Sequence, residues 1–357
     1  MVKRKHSLGN FYCPEPLRRP NDELVLDPDC PQQTFTEWLN DPNRNPVTSR
    51  RKTIYVVPPP ILASNATAFV KTVYNARATQ KSSSTNHPSS EDVAEFIKAF
   101  YTGFIVKVLS APEMTVWDSS KKYVGLIPVP GKSTSSLRVR IRAARDKMFA
   151  YQLNLDDLLD GLIEDVVTVG TYAVVWLVEH DLYEGKNDDF TCGRAYGASR
   201  VAVVSSARYH PSLDNALGLS STDVWPLCHD KEPDNTIEAI KGAIDAYSTD
   251  GDLKDIWLGR ICRTVVHELG HCFGIEHCVK FACCMQGSAS LAEDLRQPPY
   301  LCPSDLEKVL YATSTTVMDH FTALANFCQV YKNVPLFASL GAWLSVVNVN
   351  PSKKIAV

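Results

Sequence analysis

Apolar and polar positions along this chain follow two periods, and their alternation predicts its elements. Thr53 to Val57 (TIYVV) reads as a short strand stopped by Pro58-Pro59-Pro60, and Ala68 to Ala76 as a short helix. With Ser90 as N-cap, EDVAEFIKAFY places Val93, Phe96, Ile97 and Phe100 on one helical side. The apolar run from Gly103 to Leu109 fits a buried strand, and Leu137 to Ile141 alternates apolar with basic as a half-exposed strand does. Asn154 caps LDDLLDGLIEDVV, with leucines at 155, 158, 159 and 162. Tyr172 to Val178 (YAVVWLV) reads as a central strand, and Val201 to Ser205 (VAVVS) as another. Ile237, Ile240, Ile244 and Tyr247 share a helical face within the long connection from 210 to 251. A longer helix starting near Asp252 or Asp255 buries Ile256, Ile261, Val265, Val266 and Leu269. Ser304 and Glu307 are spaced as a capping box, and a last helix covers Thr316 to Tyr331. Strands alternating with helices imply an α/β (α+β) fold with a mixed sheet.

The ends carry less pattern. Prolines at 14, 16, 20, 28, 31, 42 and 46, followed by the low-complexity stretch from Thr79 to Ser90, give residues 1–90 the character of a Pro-rich, extended or partly disordered arm. Residues 91–335 then form the main domain with its cysteine cluster, and 336–357 a C-terminal tail. The 357 residues suffice for a substantial core. A formal net charge of -3 gives no general attraction to nucleic acid or to anionic membrane. No apolar run approaches the roughly 18 residues of a membrane span, and the basic N-terminus lacks the apolar core of a secretion signal. The expectation is a cytoplasmic chain that is not secreted, with Lys3-Arg4-Lys5 as a nuclear-address candidate.

Chemistry concentrates between Val265 and Met285. His267-Glu268-x-x-His271-x-x-Gly274-x-x-His277 puts two imidazoles on one helical face, since residues four apart are neighbours there. A straight helix would carry His277 away from the other two, so the chain must turn back, and Gly274 permits the positive φ that such a turn needs. Three neutral nitrogens leave a fourth tetrahedral position open, the arrangement of a catalytic zinc. Of eleven cysteines, Cys278, Cys283, Cys284 and Cys302 are clustered, which in a reducing compartment points to metal binding. His87, His210 and His229 read as solvated loop residues.

With Cys278-x4-Cys283-x-Met285 and, 16 residues on, Cys302-x-x-Asp305, the chain resembles the archaemetzincins, whose extended motif joins the metzincin zinc signature to four cysteines. GFIVKVL, YAVVWLVEHDLYE and FTCGRAYGASRVAVVSSARY extend the resemblance over about residues 95 to 312. It implies a metzincin-like mixed, twisted sheet, a long active-site helix, a glycine turn and a small C-terminal helical subdomain. It further implies that His267, His271 and His277 bind the catalytic Zn2+, that Glu268 is general base and acid, and that Met285 forms the Met-turn. Arg200 to Ser205 would be the edge strand lining the cleft. The family's four cysteines hold a second, structural Zn2+; here the fourth is Asp305. Aspartate can ligate zinc, so Cys278, Cys283, Cys302 and Asp305 remain a candidate set, with Cys284 as an alternative ligand.

The implied function is a zinc metallopeptidase acting on a peptide or protein substrate, through a zinc-bound water activated by Glu268 and with Tyr209 as a candidate oxyanion donor. One rival is a catalytically silent zinc-dependent peptide-binding protein, which would not require Glu268. Another is a nucleic-acid-binding zinc protein, opposed by Glu293, Asp294, Asp305 and Glu307 around Lys280 and Arg296.

Overall fold

The computed structural model describes residues 32–78, 87–127, 136–220, 224–228, 234–245 and 252–349. Its strands are β1 (Thr53–Val57), β2 (Ile61–Leu62), β3 (Ile105–Val108), β4 (Glu113–Val116), β5 (Tyr123–Ile127), β6 (Leu137–Arg142), β7 (Gln152–Asn154), β8 (Thr171–Val178), β9 (Asp181–Tyr183), β10 (Gly193–Tyr196) and β11 (Val201–Ser205). Its helices are α1 (Phe35–Asn40), α2 (Ala68–Tyr74), α3 (Ser90–Phe100), α4 (Leu155–Gly161), α5 (Asp214–Leu217), α6 (Asp234–Asp245), α7 (Leu253–Cys272), α8 (Leu291–Arg296), α9 (Pro303–Thr313), α10 (Val317–Val330) and α11 (Pro335–Val349).

Five strands form the central sheet in the order β10-β11-β8-β1-β3. β11, β8, β1 and β3 run parallel, and β10 pairs antiparallel to β11 at one edge. Both faces of this sheet are covered, which is why β8 is apolar at nearly every position. Tyr172, Val175 and Leu177 enter the core under α3 and α7, whereas Val174, Trp176 and Val178 face a second core. That second core is closed by the other sheet, β2-β4-β5-β6-β7-β9, with α2 and α4. The class is therefore mixed α/β, as expected.

The ends depart from expectation. β1 lies between β8 and β3 inside the sheet, and Trp38 on α1 is fully buried, so the described part of residues 1–90 belongs to the folded body rather than to an arm. The expected tail from 336 is helix α11, which buries Phe337, Leu340, Trp343 and Leu344. Its sequence is apolar on most sides, so no amphipathic period marks it, and its partners are α6 and α10. β3 is an edge strand with Ile105 55% exposed, not a buried one. The cap of α3 is Ser89, and that of α9 is Cys302, whose Sγ accepts from Asp305 N, in place of the expected Ser304 box. Tyr247, His229, Cys13, Cys30 and Lys3 to Lys5 lie outside the described residues.

Candidate metal centres and cleft

Helix α7 begins at the Asp252 cap and carries His267, Glu268 and His271 on its last turns. It ends where Gly274 takes φ +76, with Ile275 N donating to Gly270 O and Gly274 N donating to His271 O. This paired bonding is the Schellman closure, which only a left-handed residue at that position completes. The turn reverses the chain and returns His277 to the helix, as the spacing predicts. Ring centroids lie 4.9 Å apart for His267 and His271, 4.9 Å for His271 and His277, and 5.4 Å for His267 and His277.

The orientation of two of these rings is fixed from behind. His267 Nδ1 lies 2.7 Å from Cys284 O and His271 Nδ1 lies 2.8 Å from Ile275 O. A carbonyl can only accept, so both Nδ1 atoms carry the proton and both Nε2 atoms present lone pairs. Those two Nε2 atoms face each other at 3.2 Å. Two lone pairs so placed repel unless a cation lies between them, and a backbone carbonyl behind each ligating imidazole is the usual support in metal sites. Burial holds His267 well below the usual imidazole range and His271 at about 4, so both rings are neutral and available as ligands.

Glu268 is 7% exposed and opens on the same cleft. Burial raises its carboxyl to about 8, the charge of Asp294 adds to this, and Arg194 opposes it. The cleft has a volume of about 560 Å³; Phe190 to Ala195 line one wall, Ser288 to Leu291 another, and Tyr209, Thr264, Asp294 and Gln297 also line it. The strand that lines the cleft is β10, not β11 as expected: β11 is paired on both sides, and β10 is the free edge. Glycines let this edge approach α7. A Cβ on Gly193 would stand 3.3 Å from Glu268 Oε1, and one on Gly197 would stand 2.3 Å from His271 O. Tyr209 is 2% exposed, with its hydroxyl near Asp294 and Thr264.

A second cluster adjoins the first. One ligand atom from each of Cys278, Cys283, Cys302 and Asp305 lies within 4.8 Å of the other three, and all four residues are buried. Asp305 Oδ2 is 3.3 Å from Cys283 Sγ and 3.4 Å from Cys302 Sγ, and Cys278 Sγ is 3.9 Å from Cys302 Sγ. Backbone N–H groups of Met285 and Cys302 point at Cys283 Sγ at 3.4 and 3.2 Å, as donors do around a thiolate. The contacts of the Cys278 thiol with the Cys283 and Cys302 sulfurs hold it below the usual thiol range. This donor set fits a four-coordinate zinc. Cys284 is outside it, its Sγ directed at Arg263 O at 3.8 Å. Met285 is fully buried with its sulfur against Gly270, where a Cβ would meet it at 2.3 Å.

Three histidines expected in solvent or unassigned are wholly or partly buried. His87 Nε2 is 2.9 Å from Ser206 Oγ with its ring against Trp257, His210 is fully buried with its ring also against Trp257, and neither lines the cleft. His180 follows β8 and is also fully buried. Sequence reasoning missed Arg194, Asp294 and the β10 glycines; Gly193 and Gly197 ahead of VAVVS were the available signal.

Fold and site together define a zinc metallopeptidase. The model of "Peptidase family M54" matches residues 166–310. Archaemetzincin-2 of Homo sapiens is 25% identical over 327 residues, covering 89% of this chain and 75% of that protein. Archaemetzincin-2 of Mus musculus is 31% identical over 156 residues, 44% of this chain and 41% of its own. The crystal structure of archaemetzincin from Methanopyrus kandleri superposes with a TM-score of 0.39 at 18% identity, covering 75% of this chain and 98% of that one. The chain is thus similar to the archaemetzincins over 89% of its length and matches the peptidase family model over residues 166–310. No helix among the described residues is long and apolar enough to cross a membrane.

Proposed function

We propose that this chain hydrolyses peptide bonds with His267, His271 and His277 as ligands of one zinc ion and Glu268 as the proton carrier. The observation that carries this reading is the pair of Nε2 atoms at 3.2 Å, each held lone-pair inward by a carbonyl behind its ring. Held by these three imidazoles, a zinc ion would supply the Lewis acidity that eases deprotonation of water and polarises a peptide carbonyl. Glu268, buried beside the triad, takes the proton of the attacking water and returns it to the leaving amine; its raised proton affinity suits a group that must do both near neutral pH. An extended peptide laid along the free edge of β10 would bring its scissile bond past Glu268, which touches Gly193 on that strand. Tyr209 sits too deep beside Asp294 to be assigned more than a place in the cleft wall.

Cys278, Cys283, Cys302 and Asp305 are proposed to hold a second, structural zinc. The nine free cysteines among the described residues support a reducing, cytoplasmic location. The test of mechanism is Glu268→Ala. It should keep both metal ions, counted by elemental analysis, and lose at least about 100-fold in kcat on a peptide library. Retained turnover would refute the assignment of the base, and absence of turnover in the zinc-loaded parent would favour a silent peptide-binding role.

A further inference from the structure

The segment just ahead of α1 reaches across more than 240 residues of sequence to the loop that carries His277. Gln33 uses its whole amide there. Its Nε2 donates to Gly274 O at 3.1 Å, and its Oε1 accepts from Glu276 N at 3.3 Å. Gln32 Oε1 accepts from Val279 N at 3.0 Å, so the two glutamines grip the backbone on either side of His277 and Cys278. Further along, Trp38 Nε1 donates to Phe273 O at 2.8 Å and Asn45 Nδ2 to Cys272 O at 3.4 Å. The carbonyls of 272, 273 and 274, at a helix C-terminus where acceptors otherwise lack partners, are therefore met by side chains of residues 33–45.

The grip has its own anchor. Lys308 is fully buried and has three donors, and three acceptors meet them: Gln33 O at 3.1 Å, Gln33 Oε1 at 2.9 Å and Asp305 Oδ1 at 2.8 Å. The other oxygen of Asp305 faces the cysteine sulfurs. Gln33 thus joins the turn that delivers the third histidine to the cluster that would hold the second metal, and this whole segment lies outside residues 166–310 matched by the family model.

We propose that Gln32 and Gln33, tied down through Lys308, are positioning residues that hold the His277 loop in its ligating conformation and so set how tightly the three-histidine site keeps its metal. This rests on the reading of His277 as a zinc ligand. Without the grip, the loop after Gly274 has freedom to carry its imidazole away, and supports of metal-ligand orientation are typically worth 10–100-fold in metal affinity.

The test loads the full chain with cobalt(II) and follows its release to excess chelator. Thiolate-to-cobalt absorption reports the cysteine cluster, and the visible bands of a nitrogen-ligated ion report the histidine site. Gln33→Ala should speed release from the histidine site about tenfold or more. Gln33→Glu, which keeps the acceptors for Glu276 N and Lys308, should recover much of that loss. Val70→Ala, in the core between the sheets, lowers stability without touching the loop and should leave release unchanged. Should Gln33→Ala fail to fold, Gln32→Ala decides, because Gln32 is only half-buried and the change removes its bond from Val279 N, so it should also speed release. Unchanged release in the variant that folds overturns the proposal, as does equal acceleration by Val70→Ala. A parent chain showing no nitrogen-site bands would instead sink the zinc reading, and the positioning role with it.

Discussion

Gly197 offers a sharp test of how closely the cleft edge and the ligand helix must fit. It follows β10, and its φ is not in the left-handed region, so alanine has no conformational objection there. The objection is contact: the added Cβ would stand 2.3 Å from His271 O and 3.1 Å from His271 C, both backbone atoms. A relaxed carbon–oxygen contact is about 3.3 Å, so either the strand or the end of α7 must move by about 1 Å. Overpacking of this kind costs about 1–3 kcal/mol of stability. A shift of about 1 Å between a ligand and the strand that presents substrate can cost about 100-fold in rate. Gly197→Ala is therefore expected to fold, with a modestly lower urea midpoint, and to lose about two orders of magnitude in kcat/KM on a peptide substrate. Gly242→Ala, where nothing lies within 4 Å of the new carbon, should keep full activity and serves as the matched control. Parental kcat/KM in zinc-loaded Gly197→Ala would show that the edge strand and helix are not tightly coupled, and would refute the argument.

Three other outcomes follow from the same structure. Cys302→Ser should reduce zinc from two ions per chain to one by elemental analysis; one ion in both proteins would remove the second site. In metal-free protein Lys308→Met leaves Asp305 buried without its cation, and breaking a buried pair costs about 3–5 kcal/mol, so a loss under about 1 kcal/mol in urea unfolding would contradict the pairing. Burial holds His180 at about 3 and His320 at about 4, so the folded state keeps both neutral while the unfolded chain protonates them below about 6.5. Their contribution is present above that pH and is lost as pH falls toward the folded values, about 2 kcal/mol each at pH 5. In metal-free protein, His320→Gln should cut the stability lost between pH 7 and pH 5 by about that amount, and an unaltered pH dependence would count against it.

What could be read from the sequence is what is local. The two helical histidines, the glycine stop and the returning histidine lie within eleven consecutive residues, so spacing alone dictates their geometry. β8 is legible because a strand buried on both faces is apolar throughout. β10 is not, because CGRAY carries no period and its edge position depends on pairing with β11. The burial of β1 depends on two parallel neighbours that come later in the chain, β3 and β8. Likewise nothing in the string QQTFTEW announces that its glutamines and tryptophan meet residues 273–279. Asp305 was visible as a departure from four cysteines, but its partner was hidden: Lys308, one turn along α9, takes one carboxylate oxygen and leaves the other for the sulfurs.

The stretch from Phe273 to Ser290 explains why two metal centres would stand side by side. It contains no helix or strand, yet Cys278, Ala282, Cys283, Cys284 and Met285 in it are fully buried. Ordering each such residue costs about 1–2 kcal/mol of conformational entropy, and only a few backbone bonds offset this: Cys278 N to Met285 O at 2.7 Å, Cys284 N to Tyr300 O at 2.7 Å and Gln286 N to Cys283 O at 3.0 Å. In the proposed two-metal reading, the first ion grips the stretch at His277 and the second grips its next residue, Cys278, and then Cys283. The two backbone groups behind the helical histidines, Ile275 O and Cys284 O, belong to this same stretch. In that reading a structural ion that fixes Cys283 would also fix the carbonyl that orients His267, and the cysteine cluster would act on the histidine site through one peptide unit rather than through the fold at large.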